Sequence, residues 1–134
     1  MPRLRVVAVS ARLPGWAEQA CAEYAKRMPR GYEVERIGVK ADRLRSSLPK
    51  GSRLVALDER GKDLTTVQFA SLLKSETTFV IGGADGLDEN VKKDAALLLR
   101  LSSLTLPHAL AQVLLLEQIY RAATMLTGHP YHRA

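Results

Sequence analysis

Apolar residues gather in short runs separated by amphipathic stretches, and the spacing changes along the chain. Leu4 to Val9 (LRVVAV) is β-branched and bounded by turn formers, which predicts a strand. After Pro14-Gly15, the stretch Trp16 to Met28 carries Trp16, Ala20, Tyr24 and Ala25 at helical spacing and stops before Pro29. Tyr32–Val39 reads as a second strand diluted by charge. Lys40 to Gly51 has no clear period and fits a loop or a short helix. Arg53–Leu57 is a third strand running into the polar loop 58–62. Thr65 suits the N-cap of a helix through Lys74 with Val67, Ala70 and Leu73 inward. Thr77–Ile81 is a strand cut off by a glycine cluster, and a short helix follows from near Asp88. Leu97–Leu106 holds the last strand. Pro107 then opens the longest helix, 108–127, with Leu110, Val113, Leu114 and Ile119 inside and Gly128 beyond its end. Strands alternating with helices imply an α/β fold, a mostly parallel sheet with helices on both faces.

Composition bounds this reading. The chain has 134 residues, 46% hydrophobic and 25% charged, which fits one domain over 1–134 and leaves too little for a second core. Aromatic residues make up only 5%, so burial falls to Leu, Val, Ile and Ala. The single cysteine, Cys21, excludes an internal disulfide and a cysteine-rich metal cluster. The apolar run at the start is too short for a secretory signal, and no stretch reaches transmembrane length. The expectation is a soluble cytoplasmic protein that does not engage membranes. The formal charge of +6 favours an anionic partner, and it is uneven: residues 1–60 hold 13 basic and 7 acidic side chains, residues 61–134 hold 7 of each.

Three segments carry candidate chemistry. Gly82-Gly83-x-x-Gly86 follows a strand, where glycines allow either a close approach to a ligand or a tight strand-to-helix turn. Its spacing matches neither the dinucleotide fingerprint nor a P-loop. In Leu101-Ser102-Ser103-Leu104-Thr105-Leu106-Pro107-His108, hydroxyls interrupt an apolar run; exposed main chain there could read a polar ligand, or the run could be an edge strand and helix cap. The end of the chain, 128–134, packs His129, Tyr131, His132 and Arg133 together, groups that move protons, stack and bind phosphate. A metal site on His129 and His132 lacks further His or Cys ligands nearby, so no metal is expected. Asp58 and Lys62 at a strand end mark a generic site position. Glu117 and Arg121 fit an ordinary i,i+4 pair.

Read together, LDERGK, FVIGGADGL, LSSLTLPH, EQIYRA and GHPYHR, in this order and at these intervals, resemble the bacterial large-subunit ribosomal RNA methyltransferases that act on a pseudouridine, within the SPOUT superfamily. The match runs from LRVVAVSARLPGW to the tail and is most specific in the C-terminal third. The resemblance implies a C-terminal trefoil knot, a homodimer, S-adenosylmethionine as donor, and methylation at N3 of a pseudouridine in 23S RNA of assembled ribosomes. It also implies a cofactor pocket of Leu57, Gly82, Gly83 and the run Leu101, Ser102, Ser103, Leu104, Thr105 and Leu106. His108, Tyr131, His132 and Arg133 would gather round the target base, the tail reaching the partner's pocket. His108 or His132 would accept or orient the proton, while Tyr131 and Arg133 would hold base and phosphate. The chain is shorter than typical members, the shortening falling between Val39 and Arg53. A transfer-RNA enzyme of the superfamily and a non-catalytic ribosome-binding protein are the other readings. On the leading one, Arg3, Arg12, Lys26, Arg27, Arg30 and the segment 40–50 form a salt-sensitive RNA grip.

Overall fold

In the computed structural model, residues 3–9, 12–83 and 85–132 are described. The strands are β1 (Leu4–Val9), β2 (Val34–Val39), β3 (Arg53–Asp63), β4 (Thr77–Ile81) and β5 (Leu97–Arg100). The helices are α1 (Gly15–Lys26), α2 (Leu44–Ser47), α3 (Thr66–Leu72), α4 (Glu89–Asp94) and α5 (His108–Thr127). Single 3-10 turns cover Ala41–Arg43 and Pro130–His132. The strands form one sheet in the order β2-β1-β4-β3-β5, and every ladder is parallel. The expected mostly parallel α/β fold is therefore present.

Each strand's alternation divides its side chains between two apolar layers. Leu4, Val6, Val55, Phe79, Ile81 and Leu99 face α1, α3 and α5, meeting Cys21, Phe69, Leu73, Leu115 and Ile119. Val7, Ala56 and Val80 face the other way, onto Leu44, Leu87 and Val91. The central β4 is buried on both faces, as parallel strands between helices must be. Cys21 is a core residue, and burial pushes its thiol pKa up. No described helix is long and apolar enough to cross a membrane.

Some local expectations change. Thr65 caps α3 through a full capping box with Gln68, yet Val67 points to solvent and Phe69 takes its inward place. In so short a helix the apolar stripe runs through 69, 70, 72 and 73, which leaves position 67 outside. On α5, Ile119 is buried, whereas Leu110, Val113 and Leu114 are only half-buried. The supposed loop 58–62 belongs to β3, whose ladder to β5 shifts register: both Leu57 and Lys62 pair with Leu99, so 58–61 bulge outward. Gly61 makes this possible, because a Cβ there would lie 2.7 Å from the Leu98 carbonyl carbon.

Candidate cofactor cleft and C-terminal tail

Because all strands run the same way, their carboxyl ends share one edge of the sheet, where α/β folds build their sites. A cleft of about 620 Å³ opens there, within the range of small-molecule sites. Leu57 at the bulge of β3, Gly82 and Gly83 after β4, and Leu101, Ser102, Leu104, Thr105 and Leu106 after β5 all line it, as does His108 at the start of α5. Ser103 does not line it.

The glycine loop closes on itself. Gly86 N–H donates to the Gly83 carbonyl at 3.0 Å, and Gly86 sits at φ +79°. A Cβ on Gly82 would lie 2.7 Å from the Gly86 carbonyl carbon, and one on Gly83 3.3 Å from Val9 Cγ1. Gly82 is thus required by the turn's own closure, and the same turn forms a wall of the cleft.

The run 102–106 leaves main chain open to the cleft. Among the described residues its peptide groups make no hydrogen bond to other main-chain groups; Leu104 N–H donates to Ser102 Oγ at 2.9 Å. Leu104 itself stays exposed at the cleft. Apolar walls with a few open peptide groups suit a ligand that is part heterocycle and part polar chain.

A pairing not foreseen from sequence stands in the cleft wall. Lys92 Nζ on α4 meets Asp58 Oδ2 at 3.0 Å, and Arg60 N–H donates to Asp58 Oδ1 at 2.8 Å. The Arg60 N–H, and behind it the Lys92 ammonium, hold the Asp58 carboxyl below its ordinary value. The pair ties the bulge of β3 to α4 across the glycine loop.

His108 Nε2 lies 2.8 Å from Gln112 Nε2, one turn along α5. With the amide N–H donating, Nε2 accepts and Nδ1 carries the ring proton. Gln112 is itself buried and borders a second hollow of about 420 Å³, which Arg12 and Arg36 also line.

The tail is held elsewhere. Tyr131 O–H donates to Glu117 Oε2 at 2.9 Å, and Arg121 meets the same oxygen at 2.7 Å with its guanidinium 5.0 Å from the Tyr131 ring centre. Tyr131 also packs on Tyr120, 4.5 Å between ring centres. Burial, then the Glu117 carboxylate, push the Tyr131 phenol well above its ordinary value, so it stays neutral. His132 Nδ1 is shielded from solvent and has no partner among the described residues. Neither Tyr131 nor His132 lines the cleft of its own chain. Arg133 lies outside the described residues. The Glu117–Arg121 pair expected from sequence is real, and its further role in anchoring Tyr131 was not foreseen. Among the described residues no group of three or more His, Cys, Asp and Glu converges as a metal site would require.

Known proteins bear on this arrangement. The chain is 49% identical to the ribosomal RNA large subunit methyltransferase H of Polynucleobacter asymbioticus, the alignment covering 98% of this chain and 99% of the relative. It is 47% identical to the protein of the same name from Ralstonia pickettii, with the same coverage. These alignments span 145 and 154 positions, so the relatives carry residues that this chain lacks. Among solved structures, the SpoU methyltransferase AviRb from Streptomyces viridochromogenes, in complex with the cofactor AdoMet, superposes with a TM-score of 0.52 at 14% identity. That superposition covers 90% of this chain and 57% of the other. A second, titled for 2-OH methylation of C/U34 on tRNA, gives 0.57 at 18% identity and covers 95% and 98%. The family model described as "Predicted SPOUT methyltransferase" matches residues 2–132, and the chain belongs to the SPOUT methyltransferase family.

Proposed function

We propose that this protein, as a homodimer in the bacterial cytoplasm, transfers a methyl group from S-adenosylmethionine to N3 of a pseudouridine in 23S RNA of assembled ribosomes. The observation that carries the reading is the single cleft that gathers Leu57, the glycine loop, most of the 101–106 run and His108. The family membership and the names of the near full-length relatives point the same way. The residues present fit the donor: apolar side chains can flank its adenosine and open peptide groups of 102–106 can meet the adenine edge. Bound there, S-adenosylmethionine supplies a methyl group on a sulfonium centre. The transfer would exchange the sulfur–methyl bond for an N3–methyl bond, release a neutral thioether, and require a residue of this protein to take the N3 proton.

His132, whose Nδ1 has no partner among the described residues, is the candidate acceptor, and His108, whose Nε2 is held by Gln112 at the cleft wall, is the candidate orienting group. Tyr131, held neutral by burial and by Glu117, serves as a strut that orients the tail, and Arg133 contributes charge toward phosphate. Since the described tail lies off its own cleft, the site is completed by the tail 128–134 of a second copy. One catalytic unit spans 1–134, and its C-terminal segment is threaded as a trefoil knot. The family membership supports that threading.

Mass mapping of ribosomal RNA from cells lacking the protein tests the reading directly. Loss of one methyl group from one pseudouridine, restored by purified protein and labelled S-adenosylmethionine, is the expected result. An unchanged ribosomal RNA, or label found only on transfer RNA, would overturn it.

A further inference from the structure

The first half of the chain carries the whole net charge. Arg5, Arg36 and Arg45 are ion-paired and Arg60 lines the cleft itself, and the parallel sheet sorts the remaining cations to two opposite ends. Arg12 follows β1, Lys40 follows β2, and Arg43 closes the next turn, so all three stand at the carboxyl edge that holds the cleft. All three are exposed and, among the described residues, without an ion pair. Arg12 lies near the cleft: it lines the same hollow as Gln112, which bonds His108 in the cleft wall. Val9, three residues before Arg12, stands against Gly83.

Arg3 precedes β1, while Lys50 and Arg53 flank the entry to β3, which places them at the amino edge. Helix α1 returns from the carboxyl edge, so Lys26 at its last turn, with Arg27 and Arg30 beyond it, also ends at the amino edge before β2 begins. Arg27 is already paired with Glu23 at 2.9 Å.

The two ends are separated by the length of a six-residue strand, roughly 20 Å. At physiological salt the screening length is about 8 Å. The amino-edge cations, more than two screening lengths away, therefore contribute little at the mouth of the cleft. On the carboxyl edge Arg12 follows β1, next to β4, and Lys40 and Arg43 follow β2, two strands or about 10 Å from β4. The rim thus extends from the cleft toward the β2 side of the sheet.

We propose that substrate RNA is gripped by the carboxyl-edge rim of Arg12, Lys40 and Arg43, and that the amino-edge cluster of Arg3, Lys26, Arg30, Lys50 and Arg53 adds nothing to substrate affinity. This rests on the RNA methyltransferase reading and divides a set that composition treats as one.

Two triple variants that remove the same charge separate the ends: Arg12→Gln with Lys40→Gln and Arg43→Gln, against Lys26→Gln with Arg30→Gln and Lys50→Gln. Binding to large ribosomal subunits is measured from about 50 to 200 mM KCl, the range over which phosphate contacts separate by salt. Each lost phosphate contact lowers the log–log salt slope by about 0.7–0.9, so the carboxyl-edge triple loses roughly 2–3 and the amino-edge triple less than about 0.5. The KM for ribosomes rises only in the carboxyl-edge triple, and calorimetric S-adenosylmethionine affinity stays unchanged in both. The charge-preserving set Arg12→Lys, Lys40→Arg and Arg43→Lys restores the slope, which ties the loss to charge and not to folding.

Equal losses in both triples, or a larger loss at the amino edge, overturn the proposal while leaving the enzyme reading intact. A wild-type protein that binds no S-adenosylmethionine and methylates no ribosome overturns the reading, and this inference with it.

Discussion

Asp58 shows how much of the cleft depends on one side chain. Its carboxylate accepts from the Arg60 N–H and from Lys92, fixing where the bulge of β3 meets α4. Its pKa is depressed in the fold, so the stabilisation is complete above the ordinary Asp value near pH ~4 and is lost as pH falls through the lower folded value. Asp58→Asn should therefore lower the urea midpoint at pH 7 and lose that difference in strongly acid buffer. Weakened S-adenosylmethionine binding at pH 7 should accompany it, measured by calorimetry. Gly82 is constrained differently, by a backbone carbonyl 2.7 Å from its missing Cβ. Gly82→Ala is expected to cost about 1–3 kcal/mol, as overpacking does, read from denaturant unfolding. Gly38→Ala, with open space around the added methyl, should be near neutral. A glycine loop whose only role was ligand approach would let Gly82→Ala fold as well as wild type and lose binding alone.

Elements were legible where sequence and tertiary structure agree on a boundary. β1 and β4 run between the residues expected, because each is a β-branched run closed by turn formers, and α5 begins after Pro107 and ends at left-handed Gly128. The extension of β3 was not legible: 58–63 looks like a polar loop, and its pairing depends on Gly61 passing over β5, a contact between residues far apart in the chain. Lys92 escaped notice for the same reason, since only the crossover of α4 brings it to Asp58. Glu117 already had an adequate partner in Arg121, so nothing in the sequence asked for Tyr131. That bond makes the tail an extension of α5. Glu117→Ala removes the shared acceptor of Tyr131 and Arg121, and a loss of roughly 1–3 kcal/mol is expected for these part-buried groups. Amide exchange at His129, whose N–H donates to the Thr124 carbonyl, should quicken as the tail loosens. Methyl transfer should fall in kcat while S-adenosylmethionine affinity holds. A parallel loss of cofactor affinity would mean that Glu117 supports the cleft rather than the tail.

At the scale of the whole molecule, one chain presents a cleft without a tail and a tail without a cleft. It also leaves apolar surface open: Trp16 is 56% exposed, and Leu110, Val113 and Leu114 on α5 are half-buried although α5 is otherwise a core helix. Among the described residues, Val113 packs against this chain's own core, whereas Leu110 and Leu114 do not, and covering them with a second copy would bury further apolar area. Sedimentation should show a dimer, and Trp16→Glu should shift it toward monomer. Mixing separates a shared site from two independent ones. Leu106→Arg places a cation in the cleft and should abolish S-adenosylmethionine binding. Tyr131→Ala unseats the tail and should leave binding intact. Each variant alone should be inactive on ribosomes. If the tail acts across the dimer, a heterodimer of the two keeps one complete site, and random exchange of equal amounts should recover about a quarter of wild-type turnover. If each tail served its own cleft, both sites of that heterodimer would be broken and the mixture would stay as inactive as its parts.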